Sequence, residues 1–201
     1  VNVKSAENRT EFNVAQDIVE NMVLGGIVAL AEGEEQLIKI GNENNYCTNI
    51  NSSVSILSCD IEYNGSLIAG GLIGKATGCY TINNSTSTGQ LFANNEQGKH
   101  IEASADSSLT VMGGLVGLAG NVESYVLTEK EIQQQILNSY TSLTISSAGV
   151  YQGNTADSKF THEVYTNAIV GYTSGKNTIT SSGVVYSSDY TLVFEEGNLN
   201  G

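Results

Sequence analysis

The chain of 201 residues contains no proline and no tryptophan. Charge is scarce as well, at 14% of residues, with 8 Lys plus Arg against 21 Asp plus Glu. So little charge excludes a charge-rich disordered tail and a coiled coil. The shortage of basic residues excludes nucleic acid and an anionic membrane surface as main partners, because phosphate binding needs basic clusters. No apolar run approaches the ~18 residues needed to cross a bilayer, so no membrane insertion is expected. The chain opens at Val1 with neither an initiator Met nor a signal peptide. The expectation is a single domain over residues 1–201, read as a mature or excised segment of a longer protein or assembly.

Groups that carry chemistry are also few. His100 and His162 are far apart and sit in no nucleophile or metal pattern. His162-Glu163 is not followed by a second histidine at helical spacing, which rules out a zinc reading. There is no Gly-x-Ser-x-Gly elbow, no Asp-rich calcium loop and no glycine-rich calcium nonapeptide. No catalytic residue, cofactor or metal ligand is therefore assigned, and the chain is read as non-enzymatic. Cys47, Cys59 and Cys79 form no Cys-x-x-Cys or Cys/His spacing. They are candidates for one disulfide, with the pairing unassigned, beside one free thiol, and three thiols are the alternative.

What the chain does hold is 22 glycines, many Ser, Thr and Asn, and 40% apolar residues in short runs. That composition predicts many short strands joined by tight turns. One glycine motif recurs: Gly25 to Ala29 (Gly-Gly-Ile-Val-Ala), Gly70 to Gly74 (Gly-Gly-Leu-Ile-Gly), Gly113 to Gly117 (Gly-Gly-Leu-Val-Gly) and a degraded Asn167 to Gly171. Recurrence at roughly 45 to 55 residues is the mark of a repeat protein. The repeat glycines are Gly25, Gly26, Gly70, Gly71, Gly74, Gly113, Gly114, Gly117 and Gly171. A second element follows each motif: Asn44 to Ile50, Asn83 to Leu91, Leu137 to Ile145 and a blurred copy at Thr178 to Val185. A third, alternating element precedes it: Val54 to Ile61, Ile101 to Ser104 and Gly149 to Tyr151. Val1 and Val3 alternate, Glu11 to Met22 reads as either one short helix or two strands, and Ala93 to His100 reads as a loop.

A unit of this kind cannot bury its apolar side alone and must stack on its neighbour. The predicted fold is all-β: a right-handed parallel β-helix (β-solenoid) of about four coils. A short helical insert is expected near 128–137, where Thr128 and Glu131 make a capping-box pattern before Ile132, Ile136 and Leu137. Around the glycine pair both faces of the strand are apolar or small. Either the pair bends the chain at a corner, which is the favoured reading, or a second layer or partner chain covers it. Stacked Asn, Ser and Thr are expected to form side-chain ladders.

The Gly-Gly-Leu-[Ile/Val]-Gly motif followed by Asn-Ser-x-[Ser/Thr] resembles the GLUG repeat, over about Gly25 to Val185. The helical insert and Asn167-Ala168 in place of Gly-Gly depart from it. That resemblance implies secreted or surface-anchored proteins, including adhesins, and a structural or adhesive role with no catalytic residues. The expected location is extracellular or cell surface. The expected partners are other copies or neighbouring repeats and surface glycans. In a eukaryotic secreted protein the sequons at Asn8, Asn51 and Asn64 are glycosylation candidates. The alternative is a carbohydrate-binding or carbohydrate-cleaving β-helix, in which Glu62, Glu102 and Glu163 stack on one surface beside Asp60 and Asp106. Thr86, Thr88, Thr141 and Thr144 make no regular Thr-x-Thr file, which argues against an ice-binding face.

Overall fold

The computed structural model describes residues 2–14, 21–32, 48–63, 66–95, 107–120, 134–149, 161–173 and 177–185. Among these every regular element is a strand. The first circuit of the chain holds β1 (Asn2–Lys4), β2 (Glu7–Val14), β3 (Asn21–Gly25) and β4 (Val28–Glu32). The second holds β5 (Thr48–Asn51), β6 (Val54–Tyr63), β7 (Ser66–Gly70) and β8 (Ile73–Thr77). The third holds β9 (Tyr80–Asn83), β10 (Thr86–Asn95), β11 (Ser107–Gly113) and β12 (Val116–Gly120). The fourth holds β13 (Gln134–Leu137), β14 (Tyr140–Gly149), β15 (Thr161–Asn167) and β16 (Val170–Thr173), and β17 (Asn177–Thr180) and β18 (Gly183–Val184) begin a fifth.

Every strand pairs in parallel with the strand four places along. Four sheets result: β1-β5-β9-β13-β17, β2-β6-β10-β14-β18, β3-β7-β11-β15 and β4-β8-β12-β16, numbered here first to fourth. The arrangement is consistent with the expected β-solenoid. Equivalent corner residues lie 47, 32, 54 and 43 positions apart. These differences fall between strands, not within them, so uneven circuits still stack residue on residue.

Two cores fill the interior. Leu57, Cys59, Ile61 and Leu91 of the second sheet pack with Leu67, Ala69 and Met112 of the third. Ile50, Ile82, Ile136 and Tyr80 of the first sheet pack with Ile73, Val116 and Ala119 of the fourth. Ile50, Ile82 and Ile136 stack directly in register and are fully buried. Burying such a side chain stabilises by about 1.5–3 kcal/mol. Ile179 ends this file and is 44% exposed.

Several expectations need correction. Residues 134–137 of the expected helical insert are strand β13, stacked between β9 and β17. Ile136 seats between Ile82 and Ile179, and this tertiary pairing overrides a local helical pattern. Thr128 to Gln133 lie outside the described residues. Ala93 to Asn95 end strand β10 and are not loop, while 96–100 lie outside the described residues. Of Glu11 to Met22, residues 11–14 lie in strand β2 and 21–22 in strand β3, while 15–20 lie outside the described residues. The expected matches of the second and third elements were also offset. The partner of Asn83-Asn84-Ser85 is Asn51-Ser52-Ser53, not Asn44-Asn45. Val54–Tyr63 stacks on Thr86–Asn95, so what read as two separate elements is one file of long strands. Ile101 to Ser104 lie outside the described residues.

Candidate functional site

The glycine pairs sit at a corner between the third and fourth sheets, and Gly74, Gly117 and Gly171 lie one residue into strands β8, β12 and β16. Gly71 and Leu72 separate β7 from β8, and Gly114 and Leu115 separate β11 from β12. This is the corner reading. One carbonyl at each corner takes two amides from the circuit before it. Ile27 and Val28 donate to Leu72, both at 3.0 Å; Leu72 and Ile73 donate to Leu115 at 2.8 and 3.0 Å; Leu115 and Val116 donate to Ile169 at 2.9 and 3.0 Å. Such close stacking leaves no room for a side chain. A Cβ on Gly71 would overlap the Gly114 carbonyl and lie 2.5 and 2.6 Å from Oγ and Cβ of Ser87. A Cβ on Gly114 would overlap the Ala168 carbonyl and lie 2.7 Å from Thr141 Cγ2. In the fourth copy Ala168 replaces the second glycine. Among the described residues no fifth glycine corner stacks on it, so nothing there demands a missing Cβ.

Facing these corners is a second set, between the first and second sheets. Ser53, Ser85, Ser139 and Ser182 occupy it, with Ala6 in the first circuit. Each serine hydroxyl donates to the carbonyl two residues back: Ser53 to Asn51 at 3.0 Å, Ser85 to Asn83 at 2.9 Å, Ser139 to Leu137 at 2.7 Å and Ser182 to Thr180 at 2.9 Å. The same oxygen accepts the amide of the circuit before, Ser53 to Ser85 and Ser85 to Ser139, both at 3.1 Å. The residue ahead of each serine is Ser5, Ser52, Asn84, Asn138 or Ser181, with φ between 47° and 56°. Asn visits this left-handed region with little penalty, and Ser is small enough to be held there by the ladder. Two positions beyond the corner serines, Ser55, Ser87 and Thr141 meet Gly26, Gly71 and Gly114. The two corners therefore touch, and their contact separates the two cores.

The corner serines escaped the sequence reading. Their signal was present in Asn51-Ser52-Ser53, Asn83-Asn84-Ser85, Leu137-Asn138-Ser139 and Thr180-Ser181-Ser182. It was masked because Asn44-Asn45 offered a more obvious match to Asn83-Asn84.

Outward from the first sheet run two files along the stack. One is Asn2, Asn49, Thr81, Gln135 and Thr178; the other is Lys4, Asn51, Asn83, Leu137 and Thr180. The corner file of Ser5, Ser52, Asn84, Asn138 and Ser181 flanks them and is exposed throughout. Side chains link neighbouring circuits here: Asn49 Nδ2 to Asn2 Oδ1 at 2.8 Å, Asn84 Nδ2 to Ser52 Oγ at 3.2 Å and Asn138 Nδ2 to Asn83 Oδ1 at 3.4 Å. The asparagine ladder thus lies on the surface, and the buried ladder is serine.

The other singled-out residues scatter. Asn8 lies on β2, not in a loop, and its amide nitrogen bonds Thr10 Oγ1 at 2.7 Å and the Gly26 carbonyl. A glycan on that nitrogen would replace one of its two hydrogens, so at least one of these bonds would be lost. Asn51 is half-exposed on the outward file, and Asn64 lies outside the described residues. Cys59 is a buried free thiol, whereas Cys79 is disulfide-bonded. Cys47 lies outside the described residues. Burial pushes the Cys59 thiol and the Tyr80 phenol above their ordinary values. Glu62 is on β6 in the second sheet and Glu163 on β15 in the third, so they do not stack on one surface. Glu102 and Asp106 lie outside the described residues, as does His100. His162 lies on β15 beside Ser108. Among the described residues no three His, Cys, Asp or Glu gather closely enough to hold a metal ion. No helix there is long and apolar enough to cross a membrane.

No family model, curated protein or solved structure matches this chain.

Proposed function

We propose that the chain is a right-handed parallel β-solenoid of GLUG-like repeats. It acts as a non-enzymatic structural or adhesive module outside the cell, in surface attachment or in filament or matrix assembly. One observation carries this reading. The most repeated residues of the sequence, the corner glycines and serines, are all spent on holding one circuit against the next. A repeat selected for chemistry would instead present its recurrent groups to a cleft. The disulfide at Cys79 fits an oxidising compartment. The right hand follows from the strong preference of parallel strand crossovers for that sense. Open strand edges and the half-exposed Ile179 at the end of a buried isoleucine file favour contact with further repeats or another copy. Sedimentation velocity over a concentration series, with negative-stain imaging, tests the assembly; rods lengthening with concentration are expected. Turnover of a polysaccharide by the purified chain, read as new reducing ends, would overturn the non-enzymatic reading.

A further inference from the structure

The outward files of the first sheet stand apart from the rest of this acidic chain. Among their described positions Lys4 is the one charge and Leu137 the one large apolar side chain. The remainder are amides and hydroxyls, in a protein of net charge −13. We propose that this face, with the exposed asparagine corner beside it, docks a neutral, extended polysaccharide lying along the stack. The proposal rests on the module reading above and names its partner.

Charge complementarity selects the occupant. An anionic polymer would need a basic cluster, and Lys4 alone does not make one. A basic partner would need carboxylates, which these files lack. A protein partner would need a contiguous apolar, aromatic centre; within these files Leu137 stands alone, and Tyr140 lies past the corner at their margin. A neutral polyol needs what is present: amide and hydroxyl groups able both to donate and to accept. Parallel strands repeat about every 4.8 Å, close to the length of one pyranose unit in an extended chain. Five circuits therefore offer successive sugars an amide or hydroxyl in every circuit of the file from Asn2 to Thr178. Bonds between circuits hold Asn84 and Asn138 in place before a ligand arrives, which lowers the ordering cost of binding. Tyr140, 41% exposed, directly follows the Asn138-Ser139 corner and supplies a ring on which a sugar face can stack.

The test is retention of the intact chain on microcrystalline cellulose and on chitin, with alginate as the anionic control. Wild type is expected on at least one neutral matrix and not on alginate. Asn51→Asp with Asn83→Asp places carboxylates on the face without changing volume. It should weaken retention about tenfold, and Tyr140→Ala should weaken it several-fold. Ser58→Asp, on an exposed position of the second sheet, should leave it unchanged. Circular dichroism melts establish that each variant is folded. Failure of the wild type to bind either neutral matrix overturns the proposal, as does equal retention of all variants. Ice shaping without glycan retention overturns it too. Assembly and turnover are read separately, so the glycan face and the structural module can fail independently.

Discussion

Alanine at Gly71 isolates the reason for the glycine corner. Its Cβ would lie 2.6 Å from Ser87 Cβ, about an ångström short of a comfortable carbon–carbon contact. On the other side it meets the Gly114 carbonyl of the next circuit, which is backbone and cannot rotate away. The circuits must part locally, which strains the bonds from Gly71 to Gly113 at 3.1 Å and from Leu72 to Leu115 at 2.8 Å. Overpacking costs about 1–3 kcal/mol, and a buried backbone group left unbonded about as much again, so a loss of about 3 kcal/mol is expected. Gly120→Ala is the matched control, because a Cβ there meets nothing closer than 3.5 Å. It should be neutral or stabilising by about 0.5 kcal/mol through the unfolded chain. Urea unfolding followed by circular dichroism reads both. With a slope of about 2 kcal/mol per molar, the Gly71→Ala midpoint should fall by about 1.5 M. Equal midpoints for the two alanine variants would refute the close-approach argument.

Ser85→Ala removes the hydroxyl that accepts the Ser53 amide and donates to the Asn83 carbonyl. A loss of about 1–3 kcal/mol is expected, with faster hydrogen exchange at the Ser53 amide; unchanged protection there would contradict the serine ladder. Stability should also fall in alkali. Burial raises the Cys59 thiol above its ordinary 9.0 and the Tyr80 phenol above its ordinary 10.0. The unfolded chain therefore loses these protons first. The Cys59 contribution declines above about pH 9 and the Tyr80 contribution above about pH 10, each by at most about 1.4 kcal/mol per pH unit. Identical urea midpoints at about pH 8 and about pH 10.5 would refute this. Cys59 should resist aromatic disulfide reagents until the chain is denatured, and Cys79 should resist alkylation until it is reduced; rapid labelling of native Cys59 would contradict its burial.

Much of the architecture was readable because a repeat writes itself several times. Gly70-Gly71 and Gly113-Gly114 announced a position where no side chain fits, and the strand-rich composition excluded most other classes. The register between circuits was not readable. Asn44-Asn45 looked like Asn83-Asn84, and connections of unequal length gave no means of choosing. Residues 134–137 show the same limit, since Gln-Gln-Ile-Leu suits a helix until Ile82 and Ile179 lie on either side of it.

The sequence by itself determined that short strands repeat, that a glycine pair recurs in three of four copies and that basic clusters are absent. These are properties of single residues and their spacing. Only the tertiary structure decided which residues meet. It set Ser87 against Gly71, joined Ser53 to Ser85 to Ser139 in one hydrogen-bonded file, and turned the asparagines outward. Those outcomes depend on stacking between residues 32 to 54 positions apart, where a one-residue slip would send every side chain to the opposite face.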